Sequence, residues 1–134
     1  MNWKFIGKHL RLISAGRGDG GFGLRRIVQL GLPIYSNVSF TSKLLMFLDP
    51  QRFVVLDGQL ARLGEARLLG PLRLTTGIAP TRKNLSVYSA WCHACSNGAR
   101  QLGLGYRAVD IERGIFALVQ RDALHEAGQI VDAL

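Results

Sequence analysis

Apolar residues recur every three or four positions along most of the chain, which is the spacing of one face of an α-helix. This pattern predicts a helix over residues 2–14 and a longer one over residues 85–102, where the apolar stripe is cleanest. Shorter helices are predicted over residues 24–30, 39–48, 57–63, 110–119 and 122–134. No alternation of apolar and polar residues indicates a strand, so the pattern predicts an all-α protein.

Turn-forming residues and candidate caps divide these helices. Residues 16–23 contain five glycines and predict a loop, and residues 64–83 are the least regular part of the chain. Asp57, Asp110 and Asp122 are predicted N-caps, because a carboxylate accepts the free N–H groups of a first helical turn. The prediction is a single compact domain over residues 1–134 with six or seven short helices. It contains a distinct segment at 32–62 and C-terminal helices at 84–134.

The composition adds a strong basic charge. Seventeen lysine and arginine residues stand against nine acidic ones, a formal net charge of +8, and thirteen of the seventeen are arginine. A guanidinium group grips phosphate through two hydrogen bonds, whereas a lysine acts as a point charge. The charge favours a polyanionic partner, most simply nucleic acid. The alternative is a basic protein without such a partner.

Other features bear on the cellular setting. No apolar run reaches the ~18–20 residues of a membrane-spanning helix, so no membrane partner is expected. The first nine residues lack the apolar core and cleavage site of a secretory signal. Two cysteines three residues apart do not form the disulfide framework of a small secreted protein. These observations favour a reducing, cytoplasmic location.

The sequence Trp91-Cys92-His93-Ala94-Cys95 has the spacing of a redox or zinc motif. Both cysteines, however, lie within the apolar stripe of a predicted helix, and His93 lies off that face. Buried structural cysteines are the simpler interpretation. No metal site and no cofactor are therefore expected.

The glycines from Gly16 to Gly21 match a dinucleotide-binding string, but no strand precedes them and no acid follows at the required distance. A weaker hypothesis is that free backbone N–H groups here, flanked by Arg17, Arg25 and Arg26, hold a phosphate. A plain flexible loop is the alternative.

The segment 32–62 carries a family resemblance. Leu32-Pro33-Ile34-Tyr35-Ser36 is followed by an apolar helix ending at Asp49-Pro50 and then by Phe53-Val54-Val55-Leu56-Asp57. This order resembles the core of the helix-hairpin-helix DNA glycosylases, in which a Leu-Pro-Gly-x-Gly hairpin, a helix and a Val-Asp pair follow one another. The stretches Thr41–Pro50 and Tyr106–Arg113 are similar to a bacterial group described as having the 8-oxoguanine glycosylase fold.

The resemblance implies a catalytic role for Asp57. In that family, the matching aspartate lies beside the target nucleotide. It activates the attacking group or stabilises the positive charge that develops on the sugar. A fixed carboxylate suits that task, because glycosidic cleavage passes through an oxocarbenium-like state. The alternative is that Asp57 is only a helix N-cap, worth ~1 kcal/mol.

The chain also departs from the family pattern. Ile34 and Ser36 replace the two hairpin glycines, whose absence of a side chain lets backbone N–H groups approach a DNA phosphate. Val38 replaces the nucleophilic lysine of the lyase-type members, which excludes a Schiff base at that position. Lys43 is a candidate substitute, with a solvated or ion-paired lysine as the alternative. Only 31 residues precede the hairpin, where the family usually has a longer helical region. The base pocket is therefore expected to be incomplete, or to be completed by a protein partner or a second copy of the chain.

These considerations give two functional hypotheses. The first is a DNA-binding protein that hydrolyses an N-glycosidic bond with Asp57 as the essential carboxylate and water as the nucleophile. The second is a catalytically inactive module that binds DNA or another protein. The predicted DNA contacts are Arg17, Arg25, Arg26, Ser36, Asn37, Arg52 and Arg62. A flipped base needs aromatic walls, and the predicted walls are Phe53, Trp91 and Tyr106.

Overall fold

The computed structural model describes residues 3–14, 18–65, 71–74 and 77–134. These residues form seven α-helices and one 3-10 helix, with no strand among them. The predicted all-α class is therefore confirmed. The α-helices are α1 (Trp3–Ser14), α2 (Gly20–Val28), α3 (Val38–Leu48), α4 (Gly58–Glu65), α5 (Arg82–Leu102), α6 (Ala108–Gln120) and α7 (Leu124–Ala133), and the 3-10 helix is Pro71–Leu74.

The long helix α5 organises the core. It packs against α2, α6 and the 3-10 helix. Most of its predicted apolar stripe is buried, with Tyr88 and Cys95 fully inaccessible and Ala99 nearly so, whereas Leu102 at its end is 58% exposed. The helix begins three residues before the predicted start, because the Thr81 side chain accepts a hydrogen bond from the Asn84 backbone N–H. No helix of the described residues is both long enough and apolar enough to cross a membrane.

The prediction of a loop over residues 16–23 is wrong from Gly20 onward. Helix α2 begins there, after Asp19 caps it by accepting the Phe22 N–H. Glycine serves here for close packing against α5. A Cβ on Gly20 would lie 2.9 Å from the Cys92 Sγ, and one on Gly21 would lie 2.9 Å from the Leu85 carbonyl oxygen. The helix also ends at Val28 and not at residue 30.

Two predicted caps are also wrong. Helix α6 begins at Ala108, so Asp110 lies in its first turn and accepts hydrogen bonds from the Arg107 backbone N–H and guanidinium group. These bonds lower the pKa of Asp110. Asp122 precedes α7 by two residues and adopts a φ of 60°, while Ala123 occupies the N-cap. The Asp122 carboxylate pairs instead with the guanidinium group of Arg62.

Candidate functional site

The segment Phe53–Asp57, which joins α3 to α4, crosses the interior without regular secondary structure. Because the segment belongs to no helix or sheet, its buried N–H and C=O groups need other hydrogen-bond partners. Leaving them unpaired would lower the stability of the fold. The Tyr88 hydroxyl donates to the Val54 carbonyl at 2.9 Å, and the Trp91 Nε1–H donates to the Val55 carbonyl at 3.0 Å. Helix α5 therefore holds two consecutive carbonyls of this segment.

Helix α3 holds the same segment from another side. The buried Ser42 hydroxyl accepts the Leu56 N–H at 3.1 Å and donates to the Ser39 carbonyl at 3.0 Å. Leu56 itself is 1% exposed and packs in the core. Three side chains from two helices thus fix the backbone immediately before Asp57.

Asp57 is half-buried at the N-terminus of α4. Its Oδ1 accepts the backbone N–H groups of Gln59 and Leu60, both at 3.0 Å, so the predicted helix-capping role is confirmed. Neither bond uses the Oδ2 atom. The carboxylate is consequently fixed in position by its own helix while one oxygen stays outside the cap.

Glu112, which the sequence did not single out, lies close enough to Asp57 for the two carboxyl groups to interact electrostatically. It projects from α6 and is 4% exposed. Burial, followed by the negative charge of Asp57, raises the pKa of Glu112 to about 7, against the opposing effects of Arg113 and the Val55 backbone. Its position on the apolar stripe of α6, three residues before Ile115, was the sequence signal that could have found it.

Lys43 lies on α3 with its Nζ 5.2 Å from the centre of the Phe40 ring. No ion pair joins it to Asp57 in the described part of the chain. Its position is that of a cation resting on a neighbouring aromatic ring. A catalytic role for Lys43 stays a prediction without a supporting contact.

The predicted walls of a base pocket do not share one open site. Trp91 is 0% exposed, so its indole belongs to the core and not to the wall of an open pocket. Phe53 is also buried, under the Arg52 guanidinium, which lies 4.7 Å from the ring centre. Tyr106 is 49% exposed on the loop between α5 and α6.

Two of the predicted DNA contacts have carboxylate partners within the protein. The Arg52 guanidinium lies 3.4 Å from Asp49 and donates to the Gly18 carbonyl at 3.1 Å. The Arg62 guanidinium lies 2.7 Å from the Asp122 carboxylate. Both arginines therefore have local anionic partners, which weakens their attraction for an external phosphate.

The other predicted DNA contacts differ in their exposure and in their partners within the protein. Arg25 is exposed, and Arg26 lies over the Phe22 ring with 5.0 Å between the guanidinium carbon and the ring centre. Ser36 is exposed, whereas Asn37 caps α3 by accepting the Phe40 N–H at 3.0 Å. Arg17 lies outside the described residues.

The cysteine pair is part of the core. Cys92 and Cys95 are buried free thiols, as the simpler interpretation predicted. Burial raises the pKa of Cys92 to about 12 and that of Cys95 well above its ordinary value. The described residues contain no group of three or more histidine, cysteine or acidic side chains arranged to hold a metal ion.

Comparison with known proteins adds no family to these observations. No protein-family model, no curated protein and no solved structure matches the chain. The resemblance of residues 32–62 to helix-hairpin-helix glycosylases therefore stays an expectation, and the function has to be inferred from the residues themselves.

Proposed function

We propose that the protein binds DNA and hydrolyses the N-glycosidic bond of a nucleotide, with Asp57 as the essential carboxylate. The observation that carries this proposal is the fixation of Asp57. Side chains from α3 and α5 hold the backbone before it, and its Oδ1 is tied to the first turn of α4. A carboxylate held in this way needs little reorganisation when a charge develops next to it.

The chemistry follows from what this carboxylate can do. Departure of a base leaves an oxocarbenium-like sugar, which a neighbouring negative charge stabilises. Water is the nucleophile, because Val38 carries no amine that could attack the sugar and the Lys43 amine rests on the Phe40 ring. The water oxygen bonds to the sugar carbon as the C–N bond breaks, and the water proton goes to the departing base. Glu112 retains its proton over much of the acid range, since its pKa is about 7. Protonation of Glu112 limits repulsion between the two carboxyl groups and leaves the negative charge to Asp57.

The electrostatics support a DNA substrate. The net charge of +8 attracts a polyanion, and exposed arginines such as Arg25 are free to meet phosphate. The order of α3, the buried segment and the Asp57-capped α4 also agrees with the resemblance described for residues 32–62.

The test is a base-release assay on duplexes and single strands that carry different base lesions. Wild-type protein should release at least one base, and Asp57→Asn should abolish release while binding DNA with unchanged affinity. Asp132→Asn is the matched control, because Asp132 is an exposed carboxylate on α7. Absence of release from every substrate, or full activity of Asp57→Asn, would contradict the catalytic proposal.

The second candidate function is a non-catalytic binding module. It is favoured by the burial of Trp91 and Phe53, which leaves no base pocket between them. It is also favoured by exposed apolar side chains on and before α3, with Phe47 76% and Ile34 59% exposed. Sedimentation of the wild type and of Phe47→Lys tests whether this face joins two copies of the chain, because a self-associating face would lose its contact in the variant.

A further inference from the structure

A surface cavity of about 500 Å³ lies between the C-terminal part of α2 and the N-terminus of α5. Residues of both helices, and of the turn before α5, form its walls. The lining residues are Arg25, Val28, Gln29, Pro80, Arg82 and Leu85. Three of these lining residues are apolar, two are arginines and one carries an amide.

The charges of this cavity are unbalanced. Arg25 and Arg82 are both exposed, and none of the six lining residues is acidic. Arg82 is the first residue of the 21-residue helix α5, which has no acidic residue in its first turn, so the positive end of the helix dipole adds to the same field. Two like charges at one cavity repel each other, and an anion bound between them would offset that repulsion.

An adjoining cavity of about 280 Å³ extends the same surface. It shares Arg25, Arg82 and Leu85 with the first cavity and continues along α5 past the Ser86 and Ser89 side chains. One carboxylate, that of Asp19, lines this extension, and its Oδ1 is engaged by the Phe22 N–H as the cap of α2. The two cavities together form a basic groove, which we define as the Arg25–Arg82 groove.

We infer that the Arg25–Arg82 groove binds the sugar-phosphate backbone of a DNA strand. The two arginines bind phosphate oxygens, and the sugar lies on the apolar surface of Val28 and Leu85. A groove that continues along α5 and is lined by arginines and apolar side chains suits a phosphodiester chain better than an isolated anion. The inference rests on the proposed DNA binding and is independent of the chemistry at Asp57.

The test compares variants that carry equal charge. Arg25→Ala/Arg82→Ala removes two positive charges from the groove, and Arg100→Ala/Arg121→Ala removes two exposed arginines elsewhere. Binding of fluorescein-labelled dT10 and of a ten-base-pair duplex is followed by anisotropy from 0.05 to 0.3 M NaCl. The two DNA forms show whether the groove takes a single strand or one strand of a duplex.

We expect the groove variant to bind at least tenfold more weakly than wild type, with the control variant within about threefold. The slope of log affinity against log salt should become shallower by about 1.4 on the single strand or about 1.8 on the duplex, for two lost phosphate contacts. Circular dichroism checks the helical content, and Arg25→Gln/Arg82→Gln replaces the alanine variant if its helicity falls.

The outcomes separate the two proposals. Equal losses in groove and control variants would overturn the groove while leaving DNA binding intact. No binding by wild type would overturn both the groove and the proposed function. Selective loss in the groove variant, in a protein that releases no base from any lesion, would support the groove and reject catalysis.

Discussion

The indole Nε1 of Trp91 donates a hydrogen bond to the backbone carbonyl of Val55 at 3.0 Å, across 36 residues of sequence. Val55 lies two residues before Asp57, so this bond joins the longest helix of the described chain to the segment that presents the candidate carboxylate. Tyr88 makes a similar bond to the preceding carbonyl from nearly one turn earlier on the same helix. Helix α5 thus acts as a scaffold for this segment, and Trp91 supports the site from the core.

Replacing Trp91 with phenylalanine should destabilise the fold by about 1–3 kcal/mol, because the Val55 carbonyl loses its donor and the core loses part of a large ring. Tyr88→Phe removes only the hydroxyl that bonds Val54 and should cost less. Urea denaturation measures both variants. A Trp91→Phe variant as stable as wild type would show that the hydrogen bond to Val55 does not hold the segment.

Substitutions at Asp57 should separate its capping role from its proposed catalytic role. Asparagine retains an oxygen that can accept the Gln59 and Leu60 N–H groups, so Asp57→Asn should change the free energy of unfolding by only a few tenths of a kcal/mol. Asp57→Ala should cost about 1 kcal/mol. Base release should be lost in both. Activity that falls only in proportion to stability would indicate a cap and nothing more.

Stability should fall as the pH rises through the range in which Glu112 titrates. The folded pKa of Glu112 is about 7, above its ordinary value of 4.5, so the folded state retains a proton that the unfolded chain releases. The resulting stabilisation is complete below pH 4.5 and is lost by about pH 7, a decrease of up to about 3 kcal/mol. Urea unfolding at pH 4.5 to 8 measures this decrease. Glu112→Gln should flatten the profile, and an unchanged profile in that variant would assign the titration to another group.

The two thiols should be unreactive in the native protein. Cys92 and Cys95 are buried, and the raised pKa of each keeps it protonated, whereas the thiolate is the reactive form. A thiol-exchange reagent at pH 8 should label neither residue in buffer and both in concentrated urea. Rapid labelling of one native cysteine would revive the redox interpretation of the Trp91–Cys95 motif.

Adding one methyl group to α2 should be costly. The Cβ of Gly21→Ala would lie 2.9 Å from the Leu85 carbonyl oxygen, a backbone atom that cannot move aside alone, so we expect a loss of about 1–3 kcal/mol. Gly114→Ala is the control, because nothing lies within 4 Å of its added Cβ. The control should gain about 0.5–1 kcal/mol from the better helix propensity of alanine. Thermal unfolding checks both expectations: the midpoint should fall for Gly21→Ala and rise for Gly114→Ala.

Local patterns in the sequence determined most of the helices. The three-and-four spacing of apolar residues in α5 and the capping side chain of Asp57 act within a few residues, so they can be read along the chain. The prediction failed at glycines, because glycine occurs both in loops and where two helices pack closely. Gly20 and Gly21 have the composition of a loop, yet they lie in helix α2, where α5 packs too closely for larger side chains.

The candidate site depended on contacts between distant parts of the chain. Glu112 acquires its raised pKa only when α6 buries it near Asp57, 55 positions earlier in the sequence. Arg62 finds the Asp122 carboxylate 60 residues away, whereas Arg25 and Arg82 meet at one cavity without an acidic lining residue. The sequence by itself determined the helical class, the positive charge and the Asp57 cap, because periodicity, composition and short-range hydrogen bonds decide these. Burial and charge pairing are set by long-range packing, so only the tertiary structure decided which acids and arginines share a site.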